Sequence, residues 1–385
     1  MSLPRRSLLA SLTLVAISLA GCQTPPLKPE VVMPPPLKST PLLTPSTFAA
    51  LPGWEKDDLR EAWPAFMASC GAMQRKAEWA QPCAAAKTVD AADGSAIRRY
   101  FEEHFVPNQV RAPDGADTGL ITGYYEPLLR GARSRGGAYQ TALLRVPDDL
   151  ITVDLASVYP ELKGMRLRGR LVGKKLVPYS NRAEIEQADA KVEPLLWVDD
   201  PVEAFFLQVQ GSGRVQLSDT HETVRVAYAD QNGYPYKSIG RWLVDKGELT
   251  TEQASAQGIK AWIGAHPTRA QELFNANPSY VFFKEERLPD PNVGPKGALG
   301  VPLTPARSVA IDSQLLPLGA PIYLSTTQAA SEQPMQRLMM AQDTGGAIRG
   351  AVRADFFYGF GSAAAESAGR MKQRGMLWVL LPKSR

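Results

Sequence analysis

Residues 340–361 read MAQDTGGAIRGAVRADFFYGFG and carry two aspartates, Asp343 and Asp355, on either side of a glycine-rich turn. Large apolar residues flank both side chains, and removing water from a charged carboxylate in such surroundings is unfavourable. The pKa of each carboxyl group is therefore predicted to rise, as a general acid that works near neutral pH requires. A structural role stays open for both, and Asp343 in particular could cap the turn by accepting hydrogen bonds from the backbone of Gly345 and Gly346.

Outward from this stretch, the sequence predicts a chain rich in short strands. Runs of β-branched and aromatic residues bounded by turn residues predict strands, and apolar residues at spacings of three and four predict helices. The predicted strands cover residues 119–127, 205–213, 277–283, 306–312, 321–324 and 377–381. The predicted helices lie between residues 54 and 86 and at residues 95–104, 238–246, 252–263 and 363–371.

Length and composition favour a globular protein of two domains. The chain has 385 residues, of which 44% are hydrophobic and 21% are charged. The net charge of +4 comes without a basic stripe that is interleaved with aromatic residues, so a nucleic-acid partner is not expected. The three histidines are scattered and no phosphate-binding loop of the Walker type is present, so we expect neither a metal nor a cofactor.

The N-terminal segment predicts export and lipidation. Residues 1–21 combine a positively charged start, a short apolar stretch and small residues, which is typical of a secretory signal peptide. The four residues that end at Cys22 resemble a bacterial lipobox, in which the cysteine is lipidated; the alternative is a plain signal peptide with a chance cysteine. Gln23 follows, and by analogy with bacterial lipoproteins it favours the outer membrane. The prolines within residues 22–47 predict a semi-rigid tether.

Cys70 and Cys83 remain once Cys22 is assigned to a lipid. An exported chain meets an oxidising compartment, and an even number of remaining cysteines favours pairing. The sequence therefore predicts a disulfide that joins two short helices.

The motif ITGYYEP at residues 121–127 is a candidate wall of a binding groove. Its content of β-branched and aromatic residues predicts a strand. Gly123 indicates a close approach by a ligand or by another strand. Tyr124 and Tyr125 point to opposite faces, so one is expected in the core while the other could face a groove.

Two later segments carry groups that suit carbohydrate binding. In FFLQVQGSG, at residues 205–213, Gln208 and Gln210 share one face of the predicted strand. Their amides could bind sugar hydroxyl and N-acetyl groups, or they could form the solvated face of that strand. In YADQNGYPYKSIG, at residues 228–240, three tyrosines surround a turn, where the rings could stack on sugars or pack in the core.

With these residues in view, residues 54–382 resemble the membrane-bound lytic murein transglycosylases of the A type. Five motifs together carry the resemblance: ITGYYEP, FFLQVQGSG, NGYPYKSIG at residues 232–240, NPSYVFF at residues 277–283 and AQDTGGAIRGAVRADFFYGFG at residues 341–361. The last region, with Asp312, Asp343 and Asp355, also resembles a three-aspartate domain built on a double-psi β-barrel, which is found in some cellulose-cutting endoglucanases.

The resemblance implies a mainly β fold with short helices (α+β) in two domains. A double-psi β-barrel catalytic domain would be discontinuous and would comprise residues 48–127 and 284–385. A second, smaller β-barrel that binds substrate would be inserted as residues 128–283. Glycan strands would lie in the groove between the two.

The resemblance also implies a reaction, that of a peptidoglycan lytic exotransglycosylase in cell-wall turnover. Such an enzyme cleaves the β-1,4 bond between N-acetylmuramic acid and N-acetylglucosamine and leaves 1,6-anhydro ends. One carboxylate suffices because the substrate supplies its own nucleophile, the C6 hydroxyl. Asp355 would act as acid and then as base, and Asp343 would support it. The residues implied in substrate binding are Thr122, Gly123, Tyr124, Glu126, Gln208, Gln210, Gly211, Ser212 and Tyr236.

Two details of the aspartate region concern this sequence in particular: the spacing of the two aspartates and the position of Arg353. Asp343 and Asp355 lie 12 positions apart, one more than in some family members, so the turn between them is expected to differ slightly. Arg353 would share a face with Asp355 in a regular strand and would lower the pKa of that carboxyl group. We expect the twist of the barrel to carry the guanidinium away.

The implied partners are peptidoglycan glycan strands and the outer membrane, reached through the lipid anchor, with the protein facing the periplasm of a Gram-negative bacterium. No nucleic acid is expected, and a cell-wall synthesis complex stays unassigned. Two other functions remain open. One is a peptidoglycan hydrolase that uses Asp343 and Asp355 with water, and the other is a non-catalytic peptidoglycan-binding lipoprotein.

Overall fold

A computed structural model describes residues 42–162, 164–187 and 192–383. The predicted signal peptide, Cys22 and most of the tether lie outside these residues. Everything described belongs to one compact unit, Ser39–Arg385. None of the helices in this part of the chain is both long enough and apolar enough to span a bilayer.

The described residues form short helices and many strands. The strands are β1 Leu43–Pro45, β2 Phe105–Val110, β3 Gly119–Glu126, β4 Leu128–Ala132, β5 Thr141–Leu144, β6 Ile151–Thr152, β7 Arg168–Val172, β8 Lys175–Pro178, β9 Pro194–Val198, β10 Ser212–Leu217, β11 Thr223–Gln231, β12 Val281–Glu286, β13 Ser308–Ile311, β14 Pro321–Thr327, β15 Pro334–Asp343, β16 Arg353–Phe360 and β17 Lys372–Pro382. The α-helices are α1 Trp63–Met73, α2 Ala77–Ala86, α3 Gly94–His104, α4 Arg182–Glu186, α5 Pro201–Gln210, α6 Ile239–Asp245, α7 Ala256–Ala265, α8 Ala270–Asn275 and α9 Ser362–Arg370. Short 3-10 helices occupy Phe48–Ala50, Trp54–Lys56, Pro160–Leu162 and Pro267–Arg269.

Six strands close into a ring that forms the first domain. Their hydrogen-bonded order is β17-β14-β15-β13-β16-β3, and β3 pairs back onto β17. The pairs β13–β15 and β3–β16 are parallel and the other pairs are antiparallel. The long strand β17 closes the ring because it pairs with β3 through its first residues and with β14 further along, while β2 pairs with its C-terminal half from outside the ring. Closure removes the free edges of the ring, which stabilises a sheet of this size.

Helices α1 to α3 pack against this barrel through an aromatic cluster. The cluster includes Trp63, Phe66 and Phe101, whose ring centroids lie 5.0–5.9 Å apart. Its members are almost fully buried. The disulfide between Cys70 and Cys83 joins α1 to α2, which confirms the predicted pairing.

The second domain is an insertion built on another sheet. Its hydrogen-bonded order is β12-β11-β10-β4-β9-β5, and a separate three-stranded sheet has the order β6-β7-β8. Among the described residues no ladder joins β12 to β5, so the smaller barrel expected here is a sheet whose end strands are not hydrogen-bonded to each other. The chain is therefore predominantly β and has two domains, as the sequence predicted.

One predicted strand is wrong. Residues 205–213 contribute mainly to helix α5, which ends at Gln210, and β10 begins only at Ser212. Asp200 caps the start of the helix by accepting hydrogen bonds from two backbone amides, and Gly211, with φ of 84°, ends it. A short apolar run does not distinguish a buried helix from a strand by periodicity alone. Because the segment is helical, Gln208 and Gln210 do not share a face.

A second predicted strand, at residues 277–283, is shorter than expected and begins at Val281. The residues before it form a turn because the Asn277 side chain accepts hydrogen bonds from the backbone of Lys237 and Ser279. The strand at residues 119–127 and the helices near residues 95–104, 238–246 and 363–371 are confirmed to within a few residues.

Candidate active site

The barrel places Asp343 and Asp355 in one row across neighbouring strands. Ala310 of β13 is the register partner of Asp343 on β15 and also of Asp355 on β16. Thr122 of β3 is the next partner in the row, beside Asp355. Register partners point to the same side of a sheet, and two strands separate backbones by roughly 10 Å. The two half-buried carboxylates thus flank the small side chain of Ala310.

Strand β3 fixes both carboxylates through side chains on one face. The Thr122 hydroxyl donates a hydrogen bond to Oδ1 of Asp355 at 2.5 Å. The Tyr124 hydroxyl donates to Oδ2 of Asp343 at 3.0 Å. Because Thr122 and Tyr124 lie two positions apart, the pleat of a single strand aligns them. Both residues were predicted to contact substrate, and in the structure both hold an aspartate.

Arg353 lies behind Thr122, and our expectation that it turns away from the site is wrong. Its Nη2 donates to the Thr122 hydroxyl oxygen at 2.9 Å, and its Nη1 donates to the carbonyl of Leu120 at 3.3 Å. A hydroxyl that accepts a hydrogen bond from a cation directs its own proton elsewhere, here to Asp355. The parallel pairing of β3 with β16 keeps the guanidinium in place, since it brings Arg353 opposite Leu120.

The two carboxyl groups differ in how the protein solvates them. Asp343 accepts hydrogen bonds on both oxygens, from the backbone amide of Ala298 to Oδ1 at 3.0 Å and from Tyr124 to Oδ2. Asp355 accepts one hydrogen bond, on Oδ1, and no donor among the described residues reaches its Oδ2. Hydrogen bonds to a carboxylate favour its charged form, so Asp343 is better suited to remain ionised and Asp355 to carry a proton.

Burial raises the pKa of both carboxyl groups. For Asp355, burial is the main cause and the charge of Asp343 adds to it, while the charge of Arg353 and the hydrogen bond from Thr122 oppose it. For Asp343, burial again raises the pKa, and hydrogen bonds from two backbone amides and from Tyr124 oppose it. Burial, together with the two nearby carboxylates, also raises the pKa of Tyr124 well above its ordinary value, so the phenol remains a donor.

The inserted domain approaches the loop that follows Asp343. Nη2 of Arg166 lies 3.4 Å from the hydroxyl of Thr344. A Cβ added to Gly346 would lie 3.9 Å from the Cβ of Tyr236, so that half-buried tyrosine stands next to the loop. Tyr236 is therefore one of the predicted substrate-binding residues that the structure brings close to the aspartates.

Two predicted substrate-binding residues instead have structural roles on β3. Glu126 has no exposed side-chain surface, and its oxygens accept hydrogen bonds from Arg214 at 2.8 Å and from Arg225 at 2.6 Å. It cannot face a groove, because these arginines enclose it. At Gly123 an added Cβ would lie 2.6 Å from the ring of Tyr358, so the close approach that the glycine permits comes from the protein itself.

The predicted residues of helix α5 and its C-terminal turn also lie apart from the carboxylates. The buried Gln208 accepts a hydrogen bond from Arg182 at 2.8 Å and lines a separate cavity of about 470 Å³ in the inserted domain. Oε1 of Gln210 accepts from the backbone amide of Tyr125 at 3.1 Å and so ties the helix to β3. Gly211 and Ser212 are half-buried and form the turn from α5 into β10.

Two residues at the site were not predicted. The backbone of Ala298 and the side chain of Arg166 come from loops far from the aspartates in sequence, and no motif marks them. In the part of the chain that the structure describes, no group of three or more histidine, cysteine, aspartate or glutamate side chains is arranged to hold a metal ion.

Comparisons with known proteins agree with this architecture. The profile of the MltA specific insert domain matches residues 120–284, and that of the 3D domain matches residues 307–381. The chain is 32% identical over 279 residues to membrane-bound lytic murein transglycosylase A of Escherichia coli strain K12, covering 71% of this chain and 68% of that protein. Among solved structures, MltA from Neisseria gonorrhoeae aligns with a TM-score of 0.76 and 36% identity, covering 89% of this chain and 93% of that one. Escherichia coli MltA with bound chitohexaose aligns with a TM-score of 0.64 and 25% identity, covering 90% and 94%. The chain therefore belongs to the membrane-bound lytic murein transglycosylase A family.

Proposed function

We propose that this protein is a peptidoglycan lytic transglycosylase in which Asp355 is the sole acid and base. The observation that carries the proposal is the unequal solvation of the two carboxyl groups. Burial raises the pKa of both groups, but Asp355 has one oxygen free of donors from the described residues, whereas Asp343 accepts hydrogen bonds on both oxygens. The relatives named lytic murein transglycosylase and the chitohexaose complex support a glycan substrate.

The reaction needs one proton-transferring group. Protonated Oδ2 of Asp355 gives its proton to the oxygen of the β-1,4 bond between N-acetylmuramic acid and N-acetylglucosamine, and the bond from that oxygen to C1 breaks. The C6 hydroxyl oxygen of the same muramic acid residue then bonds to C1. Asp355, now a carboxylate, takes the hydroxyl proton and returns to its starting form. The product is a 1,6-anhydro end, and no water is consumed.

The neighbouring groups have distinct roles in this scheme. Thr122 stabilises the carboxylate that Asp355 becomes, because its hydroxyl already donates to Oδ1. Asp343, whose hydrogen bonds favour its charged form against the effect of burial, would as a carboxylate stabilise positive charge that develops on the sugar ring. The negative charge of Asp343 also disfavours ionisation of Asp355 and so keeps Asp355 protonated.

Products distinguish this proposal from its alternatives. Purified protein is incubated with peptidoglycan sacculi and the released muropeptides are analysed by mass spectrometry, with Asp355→Asn as the matched inactive variant. We expect 1,6-anhydro ends from the unmodified protein and none from the variant. Reducing ends would instead indicate a hydrolase that uses water, and undigested sacculi would indicate a binding protein.

The proposal extends to the domain boundaries. Residues 48–127 and 284–385 would form a double-psi barrel, and residues 128–283 the inserted substrate-binding domain. The closed six-stranded ring with two parallel pairs supports this division, as do the matched ranges of the two family profiles. Glycan would lie between the aspartate row and the inserted domain, near Tyr236.

The proposal also extends to location. Lipidated Cys22 and the tether at residues 22–47 would hold the catalytic domains in the periplasm, below the outer membrane. The lipobox-like sequence supports this placement, and so does the term membrane-bound in the names of the relatives.

A further inference from the structure

A second feature of the inserted domain stands close to the aspartates. Residues 166–178 read RLRGRLVGKKLVP and comprise Arg166 and the β7–β8 hairpin. This segment, called here the basic hairpin, contains five arginine or lysine residues and no aspartate or glutamate. Such a density of one sign creates a positive potential that attracts and orients anionic groups.

Most of the charges in the basic hairpin are free to meet a ligand. Arg168 is the anchored member, since its Nε donates to Asp230 at 2.9 Å. Arg170, Lys174 and Lys175 are exposed at and near the tip of the hairpin. They lie on the two strands and the turn, so a ligand along the hairpin would meet all three.

Apolar side chains lie between these charges and are unusually exposed. Leu171 is 62% exposed, Val172 54% and Leu176 47%. Arg170 is the register partner of Val177, and Val172 that of Lys175, so these four side chains share one face, where Val172 and Val177 form an apolar patch beside the charges. The register partners Leu171 and Leu176 lie on the other face of the hairpin. Apolar groups that cluster in this way on a soluble domain commonly mark a binding surface. The surface therefore suits a ligand that is both anionic and partly apolar.

The hairpin begins at the candidate active site. The Arg166 side chain lies 3.4 Å from Thr344, the residue after Asp343, and its charge acts on the Asp343 carboxyl group. From Arg168 the strand β7 extends for about 13 Å to Val172, at the usual rise of an extended chain. The exposed charges therefore lie on a hairpin that begins next to the loop after Asp343, and a side branch of a substrate bound at the aspartates would meet them if it followed β7.

We propose that the basic hairpin binds the peptide stems of peptidoglycan through their carboxylates. The inference rests on the proposed function, because it assumes that glycan occupies the aspartate row. Peptide stems branch from the glycan, end in carboxylates and carry methyl and methylene groups, so they match the charges and the apolar patch together. Arg170, Lys174 and Lys175 would pair with the carboxylates, and Val172 with Val177, on the face that carries Arg170 and Lys175, would pack against the alkyl groups.

The test compares one glycan with and without its stems. The variant Arg170→Gln/Lys174→Gln/Lys175→Gln removes three charges outside the catalytic residues. The matched control, Arg75→Gln/Lys76→Gln/Lys87→Gln, removes three exposed charges from the helical side of the barrel. Substrates are glycan strands with stems and the same strands after an amidase has removed them.

We expect the hairpin variant to raise KM for stem-bearing strands by about tenfold at low salt, since exposed ion pairs contribute modestly and additively. The value of kcat, and both constants for stem-free strands, should stay unchanged, and the control variant should match the unmodified protein. Equal losses on both substrates, or no loss on either, would overturn the proposal. So would unchanged kinetics combined with lost binding to phosphatidylglycerol vesicles, which would assign the surface to lipid.

A binding measurement separates this proposal from the proposed function. In an Asp355→Asn background, the affinity for strands with and without stems is measured directly. A preference for stems that disappears in the hairpin variant supports the hairpin even if the unmodified protein proves inactive. Full activity without any preference for stems would leave the proposed function intact and refute the hairpin.

Discussion

Replacing Arg353 by methionine should move the pH dependence of catalysis. Arg353 reaches Asp355 through the Thr122 hydroxyl, by hydrogen bonds of 2.9 Å and 2.5 Å in series. The charge of Arg353 lowers the pKa of Asp355 against the effect of burial. Asp355 acts first as an acid, so activity falls as the pH rises through its pKa. Without the guanidinium that pKa rises, and the basic side of the pH profile should extend to higher pH.

The size of the effect follows from the separation of the two charges. The hydrogen bonds of 2.9 Å and 2.5 Å in series place Nη2 of Arg353 at most about 5.4 Å from Oδ1 of Asp355, where the interaction is about 1.5 to 3 kcal/mol for effective dielectric constants of roughly 40 to 20. This energy corresponds to a change on the order of 10- to 100-fold in the proton affinity of Asp355, since 1.36 kcal/mol is one factor of ten. The half-buried position of the carboxyl group favours the lower part of this range.

The assay is the pH profile of kcat/KM for solubilisation of labelled sacculi, which reports the pKa values of the free enzyme. Arg353→Lys is the matched control because it keeps the positive charge. The high-pH side of the kcat/KM profile of Arg353→Lys should therefore lie closer to that of the unmodified protein. If Arg353→Met leaves the high-pH side in place, or if both variants move it equally, the electrostatic reasoning is wrong. Thermal unfolding of each variant checks that the barrel remains folded.

Three further variants test other parts of the structure. Asp343→Asn should lower kcat while 1,6-anhydro products are still formed, and a variant with no activity at all would give Asp343 the role assigned to the other aspartate. Glu126→Gln leaves two buried arginines without a countercharge and should lower the free energy of unfolding by about 3 to 5 kcal/mol in denaturant titrations. The control Glu222→Gln, at an exposed position, should change this free energy little, and similar losses in both variants would refute the structural role of Glu126. Cys22→Ala should release the protein from membranes into the soluble periplasmic fraction, and its retention in membranes would place the anchor elsewhere.

The sequence predicted the elements whose signals are local. Strand β3 is rich in β-branched and aromatic residues and lies between turn residues, and helix α3 begins at an aspartate that accepts hydrogen bonds from two backbone amides. Helix α5 was mistaken for a strand because its apolar run is short and continuous. The cap at Asp200, the proline at the first helical position and the glycine after Gln210 are local signals that could have identified it.

Partners distant in sequence could not be predicted. Glu126 forms its hydrogen bonds with Arg214 and Arg225, which lie 88 and 99 positions away. Within the motif ITGYYEP, Glu126 was interpreted as a substrate-binding residue, because its contacts with these two arginines are not evident from the sequence. The proximity of Asp343 to Asp355 likewise depends on Ala310, since β13 inserts between the strands that carry them.

Strand β3 links the chemistry of the site to the junction between the domains. Every second side chain of β3 points to the same side, so one face carries Thr122, Tyr124 and Glu126. The first holds Asp355 and the second holds Asp343, while the third binds arginines from strands β10 and β11 of the inserted domain. Arg214 also donates to the carbonyl of Pro291, where the chain returns to the barrel. A shift of the inserted domain that moves Glu126 would therefore displace the donors that position both carboxylates.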